Sequence, residues 1–255
     1  GLGKFFARVV ELLPPLLIGA LLSLKEAGLY GAAFRIVLIA MMIDRVFVNL
    51  LLPNLSSLWT TNRSLAARRM DAVFKLVTVA GVLLALIFAI AAERLILWLY
   101  GAEYAGSVVI LQLLSIMIAA TFINSLFSFG LIATNKDREY FIATCFGGTL
   151  SAFIIFTFTA FGNVHLVAAS VFISEIIISL FTYYWFRQVM PVRIKKPFLI
   201  SVITASILFA VSWISPLPAL VNAALATVIY IGVIVKGNVI EREQWHWAFQ
   251  KIKKG

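Results

Sequence analysis

Eight apolar stretches, each close to the length that a helix needs to cross a bilayer, are the feature that most constrains the fold of this chain. The hydrocarbon core of a bilayer is roughly 30 Å thick, and about 20 residues of α-helix span it. Hydrophobic residues make up 62% of the 255 residues, more than a soluble core of this size can bury. The sequence therefore predicts an all-α, polytopic membrane protein with about eight transmembrane helices. The predicted spans lie near residues 5–24, 30–52, 73–92, 108–133, 141–161, 164–186, 198–214 and 219–236.

The positive charges fall on one side of these stretches. Of the 21 Lys and Arg residues, 17 precede the first stretch, lie in alternate gaps or belong to the tail. The intervening gaps hold only Lys25 and Arg94, while Arg35 and Arg45 lie inside the second stretch. Because basic loops remain on the cytoplasmic side, both termini of this segment are predicted to be cytoplasmic. The net charge of +10 is then explained by membrane orientation and by contact with anionic lipid headgroups, and nucleic acid is not an expected partner.

The segments outside the spans carry their own predictions. Residues 1–236 are expected to form one transmembrane unit, followed by a basic, amphipathic cytoplasmic tail over 237–255 that lies on the inner leaflet. Residues 60–71 are predicted to form a loop in which Asn62, Arg63 and Ser64 precede a separate short polar helix at the headgroups, and residues 93–107 an interfacial half-helix that ends at Gly101. Since the chain begins with Gly1 and has no signal-peptide pattern, we expect it to be an excerpt of a longer protein.

Catalytic motifs are missing from the sequence. There is no GxxxxGK[ST] phosphate loop and no GxSxG nucleophile elbow. The two histidines, His165 in an outer turn and His246 between two tail tryptophans, form no metal-ligand or nucleophile constellation. We therefore predict no metal, no cofactor and no enzymatic activity. A transporter driven by an ion gradient, or by the downhill flow of its substrate, fits this composition best.

Ionisable residues inside the spans are the first candidates for function. Each costs about 2.5 to 3.5 kcal/mol on insertion scales when it lies at the bilayer centre, so it persists only with a partner or a wet cavity. Arg35, Asp44 and Arg45 lie on the second span, and Glu175 lies midway along the sixth. At about 100° per residue, Arg45 and Asn49 lie about 80° and 40° from Arg35 around the helix, whereas Asp44 points nearly opposite.

Each of these residues has two interpretations. A sector formed by Arg35, Arg45 and Asn49 would attract a diphosphate or an acidic sugar, because the guanidinium fork suits phosphate oxygens. Alternatively, each arginine pairs with Asp44 or Glu175, or extends to the interface. Asp44 and Glu175 are candidates for proton or cation coupling, although a structural role as hydrogen-bonded packing partners is the interpretation that we favour.

Four stretches resemble the polysaccharide-exporting flippases of the multidrug, oligosaccharidyl-lipid and polysaccharide exporter superfamily, which includes MATE-like transporters. Residues 17–37 (LIGALLSLKEAGLYGAAFRIV) are similar to the junction between the first two helices of the family's C-terminal lobe. Residues 94–111 (RLILWLYGAEYAGSVVIL) look like its outer segment with Gly-x-Glu-Tyr, and residues 131–140 (LIATNKDREY) look like its inner turn. Residues 168–177 (AASVFISEII) resemble the helix that carries a Ser-Glu pair.

This resemblance implies a two-lobe flippase of which the chain is the C-terminal lobe, with an N-terminal lobe missing. In the family, the two lobes form a V around a cavity that opens alternately to either side, and the first two helices of each lobe line it. Arg35 and Arg45 would then lie on a cavity-lining helix. The implied cargo is an undecaprenyl-diphosphate-linked glycan, such as an O-antigen unit of lipopolysaccharide or an exopolysaccharide unit, moved to the outer leaflet of the bacterial inner membrane.

Two alternatives remain open at the level of sequence. A small-molecule or drug cation antiporter of the same superfamily would be expected to carry more intramembrane carboxylates than Asp44 and Glu175, and fewer arginines. A membrane glycosyltransferase or polymerase would need a large soluble loop or a cluster of carboxylates, but no gap between spans exceeds about 20 residues.

Overall fold

The computed structural model describes residues 2–190 and 195–240, with side chains from 12–46, 56–190 and 195–240. These described residues form eight α-helices and one short 3-10 turn, Ala102–Tyr104, and they contain no strand. The predicted tail over 237–255 lies outside the described residues after position 240. The helices are α1 (Leu2–Leu21), α2 (Leu24–Thr61), α3 (Arg63–Tyr100), α4 (Ser107–Ala133), α5 (Asp137–Ala160), α6 (Val164–Val189), α7 (Lys195–Ile214) and α8 (Ala219–Lys236).

Most of these helices are long and apolar enough to cross a membrane. Among the described residues there are seven such segments, namely Leu24–Val46 of α2 and the helices α3 to α8. In α1 the apolar part with described side chains, Leu12–Leu21, is shorter than a full span. The predicted all-α, multi-span fold is confirmed.

The helices α2 and α3 extend well beyond a bilayer. Each has 38 residues, which corresponds to about 57 Å of helix, and only Asn62 separates them. The prediction of a separate polar helix over 60–71 was therefore wrong. Residues 63–71 contain no Gly or Pro to stop a helix, and Asn62 caps α3 by accepting a hydrogen bond from the Leu65 backbone N–H (3.0 Å).

The outer end of α3 shows a second difference from the sequence prediction. Residues 93–100 continue α3 rather than forming an interfacial half-helix of their own. The helix does end at Gly101, whose φ of 84° lies in the left-handed region that glycine adopts without steric cost. The chain then reaches α4 through the 3-10 turn.

Helix α4 lies at the centre of the main apolar core. It packs against α2, α3 and α6, while α5 packs against α1 and α6. Large side chains such as Phe74, Phe122 and Phe186 are fully buried in this core. The helices α7 and α8 form a second, smaller core against α3, where the Tyr230 hydroxyl donates to the Val79 carbonyl (3.1 Å).

Close approaches and polar links fix the position of α4. A Cβ on Gly81 of α3 would lie 2.7 Å from the Cβ of Phe122, so α3 and α4 touch where Gly81 has no side chain. The Ser107 hydroxyl, at the start of α4, donates to the Leu29 carbonyl of α2 (2.8 Å). Contacts on both sides thus hold the helix that carries the polar residues described next.

Candidate functional site

A polar cavity of about 250 Å³ lies between α1, α2, α4, α5 and α6. Its lining lies on the helices themselves, from the middle of α4 and α6 to the first turns of α5, so it lies at membrane depth rather than in a loop. The presence of ionisable residues at such a depth is a physical reason to treat this cavity as the candidate site. Its ionisable and polar lining residues include Asp44, Arg45, Thr121, Asn124, Ser128, Tyr140, Thr144, Ser151, Ser174 and Glu175.

Two adjacent residues of α4 hold the two carboxylates of this cavity. The Ser125 hydroxyl donates to Asp44 Oδ1 of α2 (2.7 Å), and Asn124 Nδ2 donates to Glu175 Oε1 of α6 (3.2 Å). Consecutive residues of a helix point about 100° apart, which lets α4 reach two neighbouring helices from successive positions. Asp44 is buried with 6% of its surface exposed, whereas Glu175 is half-buried.

Several buried oxygens around the cavity have no hydrogen-bond partner within the described part of the chain. They are Tyr30 OH, Thr121 Oγ1, Asn124 Oδ1 and Ser174 Oγ. All four residues line the polar cavity. Since buried polar atoms in proteins are nearly always satisfied by protein, water or ligand, these atoms indicate a cavity whose occupants form hydrogen bonds or coordinate to oxygen.

The donor set limits which ions the cavity suits. No group of three or more His, Cys, Asp or Glu residues that could hold a metal ion occurs among the described residues. Two carboxylates with neutral hydroxyl and amide oxygens are hard ligands, which suit alkali or alkaline-earth cations and protonated water rather than soft transition metals. These oxygens of α2, α4 and α6 are thus of the kind that a proton or a hard cation prefers.

The two intramembrane arginines lie at different places on α2. Arg45 is exposed and lines the polar cavity, next to buried Asp44. Arg35 is exposed and lies outside the cavity lining, on a face that it shares with Ile39 and Met42, which are 61% and 59% exposed. The side chain of Asn49 lies outside the described residues.

The sequence predictions missed the polar contribution of α4. Thr121, Asn124, Ser125 and Ser128 follow the spacing i, i+3, i+4 and i+7, which places them on one face of a helix. In an otherwise apolar span, this polar stripe was a detectable signal. The stripe does not indicate which residues its side chains contact, because Ser125 is 81 positions from Asp44 along the chain and Asn124 is 51 positions from Glu175.

Comparison with known proteins gives two matches. Residues 2–109, which cover α1 to α3 and the start of α4, match a family described as "Polysaccharide biosynthesis protein". A solved structure described as "Lipid II flippase MurJ, inward closed conformation" superposes with a TM-score of 0.71 at 16% sequence identity. The resemblance to polysaccharide transporters is confirmed. No sequence in the collection of curated proteins matches the chain.

The extent of the structural match defines what it shows. The match covers 91% of this chain but 52% of the flippase, so the chain spans about half the length of that protein. At this identity the likeness shows the fold alone, an all-α arrangement of several membrane-spanning helices. The polysaccharide-biosynthesis match over 2–109 includes Asp44 and Arg45 but not Asn124, Ser125 or Glu175.

Proposed function

We propose that this chain is the C-terminal lobe of a flippase that moves a lipid-linked glycan from the cytoplasmic to the outer leaflet by alternating access. The observation that carries the proposal is a polar cavity at membrane depth, with Arg45 and two carboxylates in its wall, in a fold shared with a lipid II flippase. The polysaccharide-biosynthesis match over the first three helices supports a glycan as cargo. No catalytic step is needed, because the cargo changes leaflet and not covalent structure.

The proposed cargo is an oligosaccharide on undecaprenyl diphosphate, and the proposed contacts are Arg35, Arg45 and Asn49. Both arginines are exposed on α2, and guanidinium groups bind phosphate oxygens through paired hydrogen bonds. Ten residues separate them, which is about 15 Å along the helix. One diphosphate would therefore meet the two arginines in succession, as expected for a path through the lobe. In this proposal, the exposed face of α2 that carries Arg35 faces a central cavity completed by an N-terminal lobe.

The proposed coupling site is the pair of carboxylates. Asp44 and Glu175 are each held by a donor from α4, and the partnerless oxygens nearby provide further ligands. Binding of a proton or sodium ion between α2, α4 and α6 would change the charge of the cavity wall next to Arg45. Cation binding makes the wall more positive and strengthens its attraction for the anionic diphosphate, so loss of the cation favours release of the cargo.

A small-molecule cation antiporter of the same superfamily is the second candidate function. The observation that favours it is that both intramembrane carboxylates, Asp44 and Glu175, line one cavity, which an organic cation could enter. In either case we propose a location in the bacterial inner membrane with both termini of this segment in the cytoplasm. The partners would be the bilayer and an N-terminal lobe of the same protein.

Reconstitution of the intact protein in liposomes tests these alternatives. A fluorescent undecaprenyl-diphosphate oligosaccharide is incorporated, and its arrival in the outer leaflet is followed with a membrane-impermeant quencher. The flippase proposal expects exchange well above that of empty vesicles, with or without an imposed proton or sodium gradient. No exchange by folded protein, combined with gradient-dependent uptake of an organic cation such as ethidium, would overturn it in favour of the antiporter.

A further inference from the structure

Two adjoining pockets lie on the other side of the lobe, between α3, α4, α7 and the start of α8. One is an apolar groove of about 340 Å³, and the other is a polar pocket of about 330 Å³. They share Ala89, Gln112, Phe209 and Trp213, so they form one continuous depression with an apolar part and a polar part. None of the residues proposed above for transport or coupling lines either pocket.

The apolar groove has the length of one leaflet. Its α3 wall runs from Val82 up to Ala89 and continues to Glu93 in the polar pocket, and its α7 wall runs from Val202 to Trp213. Eleven residues of helix correspond to about 16 Å, and half of a bilayer core of roughly 30 Å is about 15 Å. The groove therefore matches the extended length of an acyl chain within a single leaflet.

The polar pocket presents mainly hydrogen-bond acceptors. Glu93 is exposed and is the one charged residue among its described lining, which includes no Lys or Arg. Asn222 Nδ2 donates to the Leu217 carbonyl (3.0 Å), and the Ser212 hydroxyl donates to the Phe209 carbonyl (2.7 Å), so both side chains keep oxygen lone pairs for a ligand. A ligand with a positive charge and N–H donors complements this arrangement, whereas an anionic ligand does not.

Exposed tryptophans mark the depth of the polar pocket. Trp213 lines it and is 73% exposed, and Trp98, one turn beyond Glu93 on α3, is 76% exposed. Tryptophan concentrates at the level of lipid headgroups because its ring is amphipathic. The polar pocket thus lies at the headgroup level, and the apolar groove extends from it toward the hydrocarbon.

We propose that this depression binds a phospholipid with a primary-amine headgroup, that is, of the phosphatidylethanolamine class. In this proposal, one acyl chain occupies the apolar groove. The ammonium group donates to the Glu93 carboxylate and to Asn222 Oδ1, and the Gln112 side-chain amide donates to the lipid phosphate. Phosphatidylcholine has no N–H donor and phosphatidylglycerol has no positive charge, so both fit less well. The inference stands independently of the cargo, since it rests only on the surface formed by α3, α4, α7 and the start of α8.

Lipid retention by the intact protein tests the proposal. The protein is extracted from nanodiscs that contain phosphatidylethanolamine, phosphatidylcholine and phosphatidylglycerol in equal amounts, and the lipids that remain bound are counted by native mass spectrometry. Enrichment of phosphatidylethanolamine is expected, with about a fivefold loss in Glu93→Gln, the factor that corresponds to roughly 1 kcal/mol. Glu103→Gln is the matched control, because Glu103 is an exposed carboxylate nearby that does not line the pocket, and it should retain the enrichment.

Two further variants separate the headgroup from the chain. Glu93→Lys should reverse the preference toward phosphatidylglycerol, and Ala205→Trp, which fills the groove, should lower retention of every lipid tested. Equal retention of the three lipids by the unmodified protein, or enrichment that survives in both Glu93 variants, would overturn the proposal. Thermal unfolding of each variant in detergent verifies that the comparison is made on folded protein.

Discussion

At the scale of single residues, the energetics of Asp44 and Glu175 argue for a hydrated cavity. An intramembrane charge costs about 2.5 to 3.5 kcal/mol, whereas a hydrogen bond between transmembrane helices contributes about 0.6 kcal/mol on average and at most about 1.7. The bond from Ser125 alone is therefore too weak to offset an ionised Asp44, whereas the bond from Asn124 is only one of the interactions of Glu175. Water or a bound cation in the polar cavity can supply the difference for Asp44, in agreement with the partnerless oxygens along the cavity wall.

Removal of the Ser125 donor should destabilise the protein modestly. Ser125→Ala leaves buried Asp44 without its hydroxyl donor at 2.7 Å, and we expect a loss of about 1 kcal/mol, or a fall of about 2–4 °C in Tm. The control is Thr149→Ala, which deletes an exposed hydroxyl that bonds only to the Cys145 carbonyl of its own helix. The two variants are compared by thermal unfolding in detergent. Equal Tm values for both would show that the Ser125–Asp44 bond contributes nothing.

The two arginines of α2 should affect transport more than protein level. Arg35→Ala and Arg45→Ala each remove a charged donor, and a hydrogen bond to a charged group is worth about 1.5–3 kcal/mol, so export of the lipid-linked glycan should fall roughly tenfold or more. Arg→Lys variants keep the charge but lose the paired geometry and should give intermediate rates. Arg94→Ala, an exposed arginine outside the polar cavity, is the control. A fall in membrane-inserted protein that matches the fall in export would indicate a structural role instead.

At the scale of elements, the fold depends on how closely α4 approaches its neighbours. The contact between Gly81 and Phe122 joins α3 to α4, and α4 in turn carries the donors to Asp44 and Glu175. A Cβ is fixed to its backbone and cannot rotate away, so a clash with it has to be relieved by separating the helices. The geometry of the polar cavity thus depends on a glycine that lies outside it.

Substitution of Gly81 should expose this dependence. Gly81→Ala places a methyl group 2.7 Å from the Cβ of Phe122, and we expect a loss of about 1–3 kcal/mol, typical of an overpacked core. Gly232→Ala on α8 is the matched control, because a Cβ there meets nothing within 4 Å and should leave stability unchanged or slightly higher. Tm values in detergent and the yield of monodisperse protein provide the measurement. A Gly81→Ala protein as stable as the Gly232→Ala protein would contradict the close approach of α3 and α4.

The sequence predicts some of these elements better than others, because the physical constraint behind each sequence pattern differs. Apolar stretches predict membrane helices because a segment that crosses lipid has to be apolar. The parts of a helix that extend into water are under no such constraint, so their composition does not show that the helix continues. That is why the sequence predicts a loop with a short separate helix within residues 60–71. In the structure, residues 63–71 begin α3, in which Lys75 Nζ and Asp71 Oδ2 form an ion pair 2.9 Å apart. The sequence predicts the helix end at Gly101 correctly. The φ of 84° at this position is a local property, and the presence of a glycine is enough to indicate it.

The candidate site likewise has features that the sequence predicts and features that it does not. The angular argument from sequence placed Asp44 opposite Arg35 on α2, and in the structure Asp44 is buried while Arg35 is exposed. Helical periodicity is a local property, so it can be read from one segment. The bonds to Ser125 and Asn124 depend on how three helices pack, and single-sequence periodicity contains no information about which helices are neighbours.

At the scale of the whole molecule, the distribution of charge and aromatic residues defines an axis across the membrane. The first turns of α3, next to the α2–α3 turn, carry Arg63, Arg68 and Arg69, while the far end of α3 carries exposed Trp98 before Gly101. Positive charge next to a span favours the cytoplasmic side for that end. In the same orientation, the depression proposed to bind an amine lipid would lie in the outer leaflet. The turn between α2 and α3, two helices that are longer than the bilayer is thick, would lie on the cytoplasmic side.

Cysteine accessibility tests this orientation directly. In a Cys145→Ser background, which removes the natural thiol, single cysteines are introduced as Ser64→Cys at the α2–α3 turn and Glu103→Cys in the turn after α3; both positions are exposed. We expect a membrane-impermeant maleimide to label Glu103→Cys in spheroplasts and to label Ser64→Cys only after the membrane is permeabilised, because positive charge keeps the α2–α3 turn inside. The control is equal labelling of both cysteines in detergent. The opposite pattern in spheroplasts would invert the predicted topology, and with it the direction in which cargo would cross this lobe.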